Sequence, residues 1–288
     1  MHHKKLIIGT AQFGMKYGIA NKKGIPSDNE TIKIFNTAKS RNINFIDTAI
    51  AYGNCERRLG ELLDLKNYKV ITKINNDIFY DLDSITKIVK SSCNRMRTNS
   101  LNTVLLHGLS NSKELNQNNL NLLEILKNKE TIKRVGISIY NEMEFDEILN
   151  NFQIDVIQFP LNILNRNSFS SFLFKEAKSR NIEIHARSIF LQGLLLMEKD
   201  KRPPYFKEWS SLFEKWDRWI INEEVNPIEA CLSFAFHNKY IDKVVIGIDS
   251  YSHLKSIVGF LDDLEIITPP KNLFSFDKNL TDPSKWKF

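Results

Sequence analysis

Four side chains in the first 107 residues have the types needed to deliver a proton to an oxygen that is gaining negative charge: Asp47, Tyr52, Lys73 and His107. A phenol with a pKa near ~10 is a poor match to neutral pH. A nearby ammonium favours the phenolate and lowers that pKa. A carboxylate beside the ammonium keeps the lysine charged where desolvation would otherwise neutralise it. A neutral imidazole can donate a hydrogen bond to a carbonyl oxygen and orient it. Together the four could protonate an oxygen as hydride arrives at its carbon. Taken singly, three of them have plain structural readings. Asp47 could cap a helix, Tyr52 could pack, and His107 could be a bonded core histidine. Lys73 is the odd one, because a lysine at the end of an apolar run is rarely buried unless paired.

The elements that must position these groups are legible as short apolar runs. They are Lys5–Thr10, Asn44–Ala49, Lys69–Lys73, Asn102–His107, Arg134–Ile139, Asp155–Pro160, Glu183–Ser188 and Lys243–Asp249. Most lack polar alternation, as expected of parallel strands buried on both faces. Helical periods lie between them. Ile85, Ile88, Val89, Cys93 and Met96 form one; Ile228, Cys231, Leu232 and Ala235 form another, after Asn226-Pro227, a cap followed by proline at the first helical position. Leu254, Ile257, Val258 and Leu261 repeat the pattern after Ser250 and Ser252. Strands alternating with helices specify an α/β fold with a parallel sheet. A closed barrel and an open doubly wound sheet both fit the count. In a barrel, chemistry gathers where strands end. The ends here are Asp47, Lys73 and His107, then Ser138, Gln158, Arg187 and Ser188, with Tyr52 on the loop above.

The run Phe45-Ile46-Asp47-Thr48-Ala49-Ile50-Ala51-Tyr52-Gly53-Asn54-Cys55-Glu56 resembles the signature of the aldo-keto reductases, bacterial type. Lys69-Val70-Ile71-Thr72-Lys73 is similar to the strand carrying that family's lysine, and Leu105-Leu106-His107 to the one carrying its histidine. The resemblance extends from Leu6-Ile7-Ile8-Gly9-Thr10 to Val245-Ile246-Gly247. It implies a single-domain (β/α)8 TIM barrel over residues 1–288, with an elaborated loop at about 189–225. It implies Tyr52 as general acid, Lys73 and Asp47 tuning it, and His107 orienting the carbonyl. The implied cofactor is NADP, with NAD as the alternative, bound without the GxGxxG turn of a separate dinucleotide domain. Its contacts would come from Gly9, Thr10, Asp47, Ser138, Gln158, Arg187, Ser188, Gln192, Gly193, Gly247 and His253. Three positions depart from the pattern. Ile139 stands where asparagine is frequent. Arg187 replaces an aromatic that stacks on the nicotinamide, which a guanidinium can also do. Gly247–His253 lacks the usual lysine and arginine for a 2′-phosphate; Asp249 would oppose that group, and His253 or Lys255 would favour it.

Composition narrows the rest. At 288 residues the chain can bury a large core without disulfides or a metal. Cys55, Cys93 and Cys231 are scattered and lack metal-ligand spacing, so no metal is expected. The charge of +6 is spread along the chain, which reads as a solvated surface rather than a nucleic-acid footprint. No run approaches a membrane span and no signal peptide stands at the start, so a cytoplasmic protein acting on a small-molecule carbonyl is expected. Oligomeric state is not encoded legibly. Between Ser188 and Asn226, Trp209, Trp216 and Trp219 with Arg202 and Lys207 could line a sugar or polyol pocket, but the tryptophans near Leu212 and Phe213 keep helical spacing and read first as packing. The tail from Thr268 should pack on the barrel exterior. Two rival readings are a dinucleotide-binding sensor or regulatory subunit of the same fold, and a lyase or hydrolase using Asp47, Glu56 and His107.

Overall fold

The computed structural model describes residues 2–107, 117–166 and 170–287. Eight strands, β1 Leu6–Gly9, β2 Phe45–Asp47, β3 Lys69–Asn75, β4 Leu101–His107, β5 Ile132–Ser138, β6 Val156–Pro160, β7 Glu183–Arg187 and β8 Lys243–Gly247, close into one barrel in sequence order. Every neighbouring pair is parallel, and β8 returns to β1 with Gly9 opposite Gly247. The open-sheet alternative is thereby excluded. All eight apolar runs became strands.

The helices are α1 Ala11–Gly14, α2 Asp28–Ser40, α3 Cys55–Leu62, α4 Leu82–Arg95, α5 Gln117–Asn128, α6 Glu142–Asn151, α7 Ser171–Ser179, α8 Ser210–Asn222, α9 Pro227–Phe236, α10 Tyr251–Asp262 and α11 Lys278–Thr281. Local chemistry sets several of their starts. Asp81 accepts the Ser84 N–H while the Ser84 hydroxyl oxygen accepts the Asp81 N–H, a reciprocal cap for α4. Asn226 accepts from Ile228 N ahead of Pro227, and Ser250 accepts from His253 N. Among the described residues no helix is long and apolar enough to cross a membrane.

Two cores result from strand alternation. Ile7, Phe45, Ile71, Leu105, Val156 and Val245 meet one another in a cluster separate from the larger one. Their strand neighbours, such as Ile8, Ile46, Val70, Val104, Ile157 and Ile246, join the helices in that larger core. Side chains two apart on a strand share a face. The residues two steps beyond the inner plug are therefore Gly9, Asp47, Lys73, His107, Gln158 and Gly247, one layer nearer the strand ends. An apolar floor and a polar layer above it follow from the same period.

The connection from β7 to β8 has its own architecture. Trp216 and Trp219 of α8 are buried, ring centroids 5.5 Å apart. Arg202 makes a two-pronged ion pair with Asp217 and lies over the Phe213 ring at 4.7 Å. The tail beyond residue 267 packs against this connection and the loop after β6. Ser275 N–H donates to Leu164 O at 2.7 Å, Trp209 Nε1 to Asp277 at 3.0 Å, and the Tyr205 hydroxyl to Asn279 O at 3.0 Å.

Candidate active site

Above the apolar plug, the strand ends open into a cavity of about 780 Å³. Lys73, 1% exposed at its side chain, forms an ion pair with Asp47 Oδ1, and its ammonium also donates to Thr48 O at 3.1 Å. The second Asp47 oxygen accepts from Gln158 Nε2 at 2.8 Å, and Gln158 Oε1 accepts from the Ser138 hydroxyl at 3.3 Å. The Asp47 carbonyl takes both the N–H and the hydroxyl of Thr10, at 3.0 and 2.9 Å. One polar chain thus ties β1, β2, β3, β5 and β6 together. A buried charge pair is tolerable only with its remaining sites satisfied, and here both Asp47 oxygens and the ammonium have partners.

Tyr52 and His107 stand over this chain. Their rings meet edge to face with centroids 6.2 Å apart, and the Lys73 ammonium is 5.4 Å from the Tyr52 ring centre. Burial, opposed by Asp47, pulls the Lys73 pKa below its usual range. Burial, then Lys73 and Arg187, push His107 down to about 3, so its imidazole is neutral at any ordinary pH. Tyr52 differs from the sequence expectation. Burial and the Asp47 carboxylate push its pKa up rather than down. Burial and Asp47 outweigh the lowering by the Arg187 charge, so the phenol keeps its proton.

The other sequence-nominated residues meet the same cavity. Gly9, Thr10, Ser138, Gln158, Arg187, Ser188, Gln192, Gly193, Gly247 and His253 all line it. The loop after β7 is unusual in its backbone. Ser188, Leu191 and Gln192 have left-handed φ of 61°, 49° and 53°, followed by Gly193 at 89°. Such conformations cost energy in non-glycine residues; here they fold the loop on itself, with Leu191 N–H donating to Ser188 O and Gly193 N–H to Phe190 O, both at 2.9 Å. Gly193 is required twice over, because a Cβ there would also come 2.5 Å from Ala20 Cβ in the loop after β1. At β8, His253 Nδ1 stands 3.2 Å from Asp249 Oδ1, and His253 holds Asp249 below the usual carboxylate range. Lys255 is exposed and away from the cavity lining.

Sequence reasoning missed several wall residues, among them Gln12, Tyr17, Lys22, Lys23 and Tyr140. Gln12 lies over Gly247, so that a Cβ on Gly247 would meet its amide at 2.5 Å. Tyr140 lies under the Arg187 guanidinium at 4.6 Å, and Tyr17 lines the cavity from the loop after β1. Tyr140 was findable: it continues the inward alternation two residues past Ser138. The proposed sugar-binding aromatics are elsewhere. Trp209, Trp216, Trp219, Arg202 and Lys207 do not line the cavity. Helical spacing in α8 directs Trp216 and Trp219 into the core instead. Glu56 of the hydrolase alternative also faces away, bound to Thr72, Ser92 and Arg95 at 2.6, 3.2 and 2.8 Å.

The arrangement can hold a polarised oxygen between a phenol and a neutral imidazole. Among the described residues no serine of the cavity bonds a histidine ring there, Ser250 taking only the His253 backbone N–H, so proton delivery is the chemistry on offer. That combination of barrel and site marks an oxidoreductase acting on carbonyl compounds. The profile of the Aldo/keto reductase family matches residues 5–266, and the chain belongs to that family. Among solved structures it is similar to the aldo-keto reductase from Bacillus halodurans in its holo form, with 20% identity, TM-score 0.72, and coverage of 92% of this chain and 88% of that one. It is also similar to a Pseudomonas aeruginosa protein assigned to the aldo-keto reductases, with 22% identity, TM-score 0.67 and 89% of each chain covered. At these identities the likeness is one of fold. A search of curated protein sequences finds no match.

Proposed function

We propose that the chain reduces an aldehyde or ketone with NADPH or NADH, using Tyr52 as the general acid. The observation that carries this reading is the buried Lys73–Asp47 pair beneath a protonated Tyr52 and a neutral His107. When bound, the nicotinamide supplies the hydride.

The lining suits such a cofactor. Gln12 Oε1 and His253 Nε2 are buried on the cavity wall without hydrogen-bond partners among the described residues, so polar atoms there await a ligand. Gly9 and Gly247 bring no side chains of their own to the end of the β1–β8 seam, which leaves room for the Gln12 amide over Gly247. Ser138 and Gln158 offer a hydroxyl and an amide suited to a carboxamide. On the loop after β7, the Ser188 hydroxyl and the Gln192 amide face the cavity and offer donors to a pyrophosphate. At the β8 end the Asp249 carboxylate, the His253 imidazole and the Lys23 ammonium, whose charge acts on Asp249, would face the adenosine ribose.

His107 would donate to the carbonyl oxygen as a neutral imidazole, and Tyr52 would donate from the second direction. An alkoxide is far more basic than a phenolate, so the proton of Tyr52 leaves only as charge builds on the oxygen. Lys73 would then lie beside the new phenolate and compensate it. Asp47 holds that ammonium in place, and Gln158 holds Asp47.

The test is a fluorescence titration with NADPH and with NADH, followed by turnover assays across aldehydes, ketoses and keto-sugars. Saturable binding and substrate-dependent loss of nicotinamide absorbance are expected. Failure to bind either dinucleotide removes the reading, and binding without turnover across the series assigns the fold a sensing role instead.

A further inference from the structure

We propose that this site selects NADH over NADPH, with Asp249 accepting from the adenosine 2′-hydroxyl and Glu30 filling the helix end that a 2′-phosphate would need; this rests on the reductase reading above. The choice departs from the NADP that the family resemblance implies. With the nicotinamide at Ser138 and Gln158 and the pyrophosphate at Ser188 and Gln192, the cavity continues to Lys23, Asp249, Ser252 and His253. The 2′ substituent of the ribose therefore meets the turn from β8 into α10.

A helix N-terminus is a ready receptor for phosphate, because it presents unpaired N–H groups and the positive end of the helix dipole. Here those groups are spent within the protein. The Tyr251 N–H donates to Glu30 Oε1, on α2, at 2.6 Å. The His253 N–H donates to Ser250 Oγ at 3.3 Å, and the Ser250 and Ser252 hydroxyls are 3.2 Å apart. Of the first three helical N–H groups only that of Ser252 has no partner among the described residues. A carboxylate already occupies the end of α10.

The side-chain charges act in the same direction. Asp249 Oδ1 accepts from the Ser250 hydroxyl at 2.9 Å and faces His253 Nδ1 at 3.2 Å, while Asp249 Oδ2 has no partner among the described residues. His253, with Ser250 and Lys23, holds the Asp249 carboxyl below the usual carboxylate range, so it is anionic near neutral pH. An ionised carboxylate with a spare oxygen accepts from a ribose hydroxyl and repels a phosphate of charge about −2. The cations nearby are a weak answer to such a phosphate. Lys22 and Lys23 line the cavity but are exposed, where salt screens them, and the charge of Lys23 already acts on Asp249. His253 has its Nδ1 turned to Asp249.

The parent protein is titrated with NADH and with NADPH by nicotinamide fluorescence, and kcat/KM is measured with each dinucleotide on one aldehyde. NADH should bind at least ~10-fold more tightly, because the 2′-phosphate is brought against a like charge. Asp249→Asn should reduce that preference ~10-fold, chiefly by tightening NADPH. Glu30→Gln should reduce it by a smaller factor, because the amide oxygen can still accept from Tyr251 N without carrying charge. Equal affinities, or tighter NADPH, in the parent overturn the selection and leave the reductase reading standing. A preference unchanged in Asp249→Asn removes Asp249 as its cause, and one unchanged in Glu30→Gln removes Glu30. If neither dinucleotide binds, the reductase reading falls and the selection falls with it.

Discussion

Two charge pairs lie deep in this barrel, and they have opposite meanings. Lys73–Asp47 sits at the strand ends, 1% and 4% exposed, and continues through Gln158 to Ser138 along the wall of an open cavity. Arg202–Asp217 sits in the β7–β8 connection, 7% and 24% exposed, and is capped by the face of Phe213. The first pair is held by polar groups that a ligand could also use. The second is packed against Phe213 on one side and partly solvated at Asp217 on the other, and its onward bond goes only to the Met197 carbonyl. Burial of an ion pair therefore says little about function; what its surplus hydrogen-bonding capacity faces says much more.

The comparison can be broken by experiment. The largest effect should come from Tyr52→Phe, which removes the proton above the first pair. A fall in kcat of ~10²–10⁴-fold is expected, with dinucleotide affinity from fluorescence titration nearly unchanged; turnover at the parental rate would remove the acid from the mechanism. Lys73→Met should come next, leaving Asp47 buried and uncompensated. Urea unfolding should show a loss of about 3–5 kcal/mol, together with loss of turnover. Arg202→Met is the counterpart in the second pair. Because Asp217 is partly solvated, a smaller loss of roughly 1–3 kcal/mol is expected, with kcat/KM retained. A folded Arg202→Met variant with no activity would show that the two pairs are not functionally distinct.

His107 sharpens the comparison through pH. Its folded-state pKa of about 3 lies below the ~6.5 of a free imidazole. Between those values the unfolded chain binds the extra proton, so stability falls as pH is lowered through that window and is unaffected by this group above it. His107→Gln should flatten the decline of Tm on acidification, measured by calorimetry. An unchanged slope would mean that the imidazole is not held neutral. The smallest effect is expected of Trp209→Phe, which loses the bond to Asp277. About 1 kcal/mol of stability should go, with turnover within a factor of about two.

The strands were legible because both faces of each are apolar, and the polar layer was legible because it repeats at the strand ends. Asp47, Lys73 and His107 could be nominated from that alone, with Tyr52 from the short spacing after Asp47. The direction of the Tyr52 shift was not legible, since burial raises it most and the degree of burial is set by packing in three dimensions. Nor was the use of Gln158 as a second clasp on Asp47, which spans 111 positions. The tryptophans of the β7–β8 connection were ambiguous because aromatic side chains suit a pocket and a core equally. Helix periodicity was the better guide for Trp216 and Trp219. Gln12 escaped notice because it lies just past its strand, in α1, where periodicity in the strand no longer applies.

The tail has a wider consequence. Family resemblance ends at residue 266, yet residues beyond it grip the loop after β6 through Leu164 and Arg166, and the β7–β8 connection through Tyr205 and Trp209. The segment least constrained by the common barrel is thus the one that braces two of the loops around its mouth. None of the residues it grips lines the cavity, so substitutions in the tail should register in how firmly those connections are held, while the proton-delivering residues stay untouched.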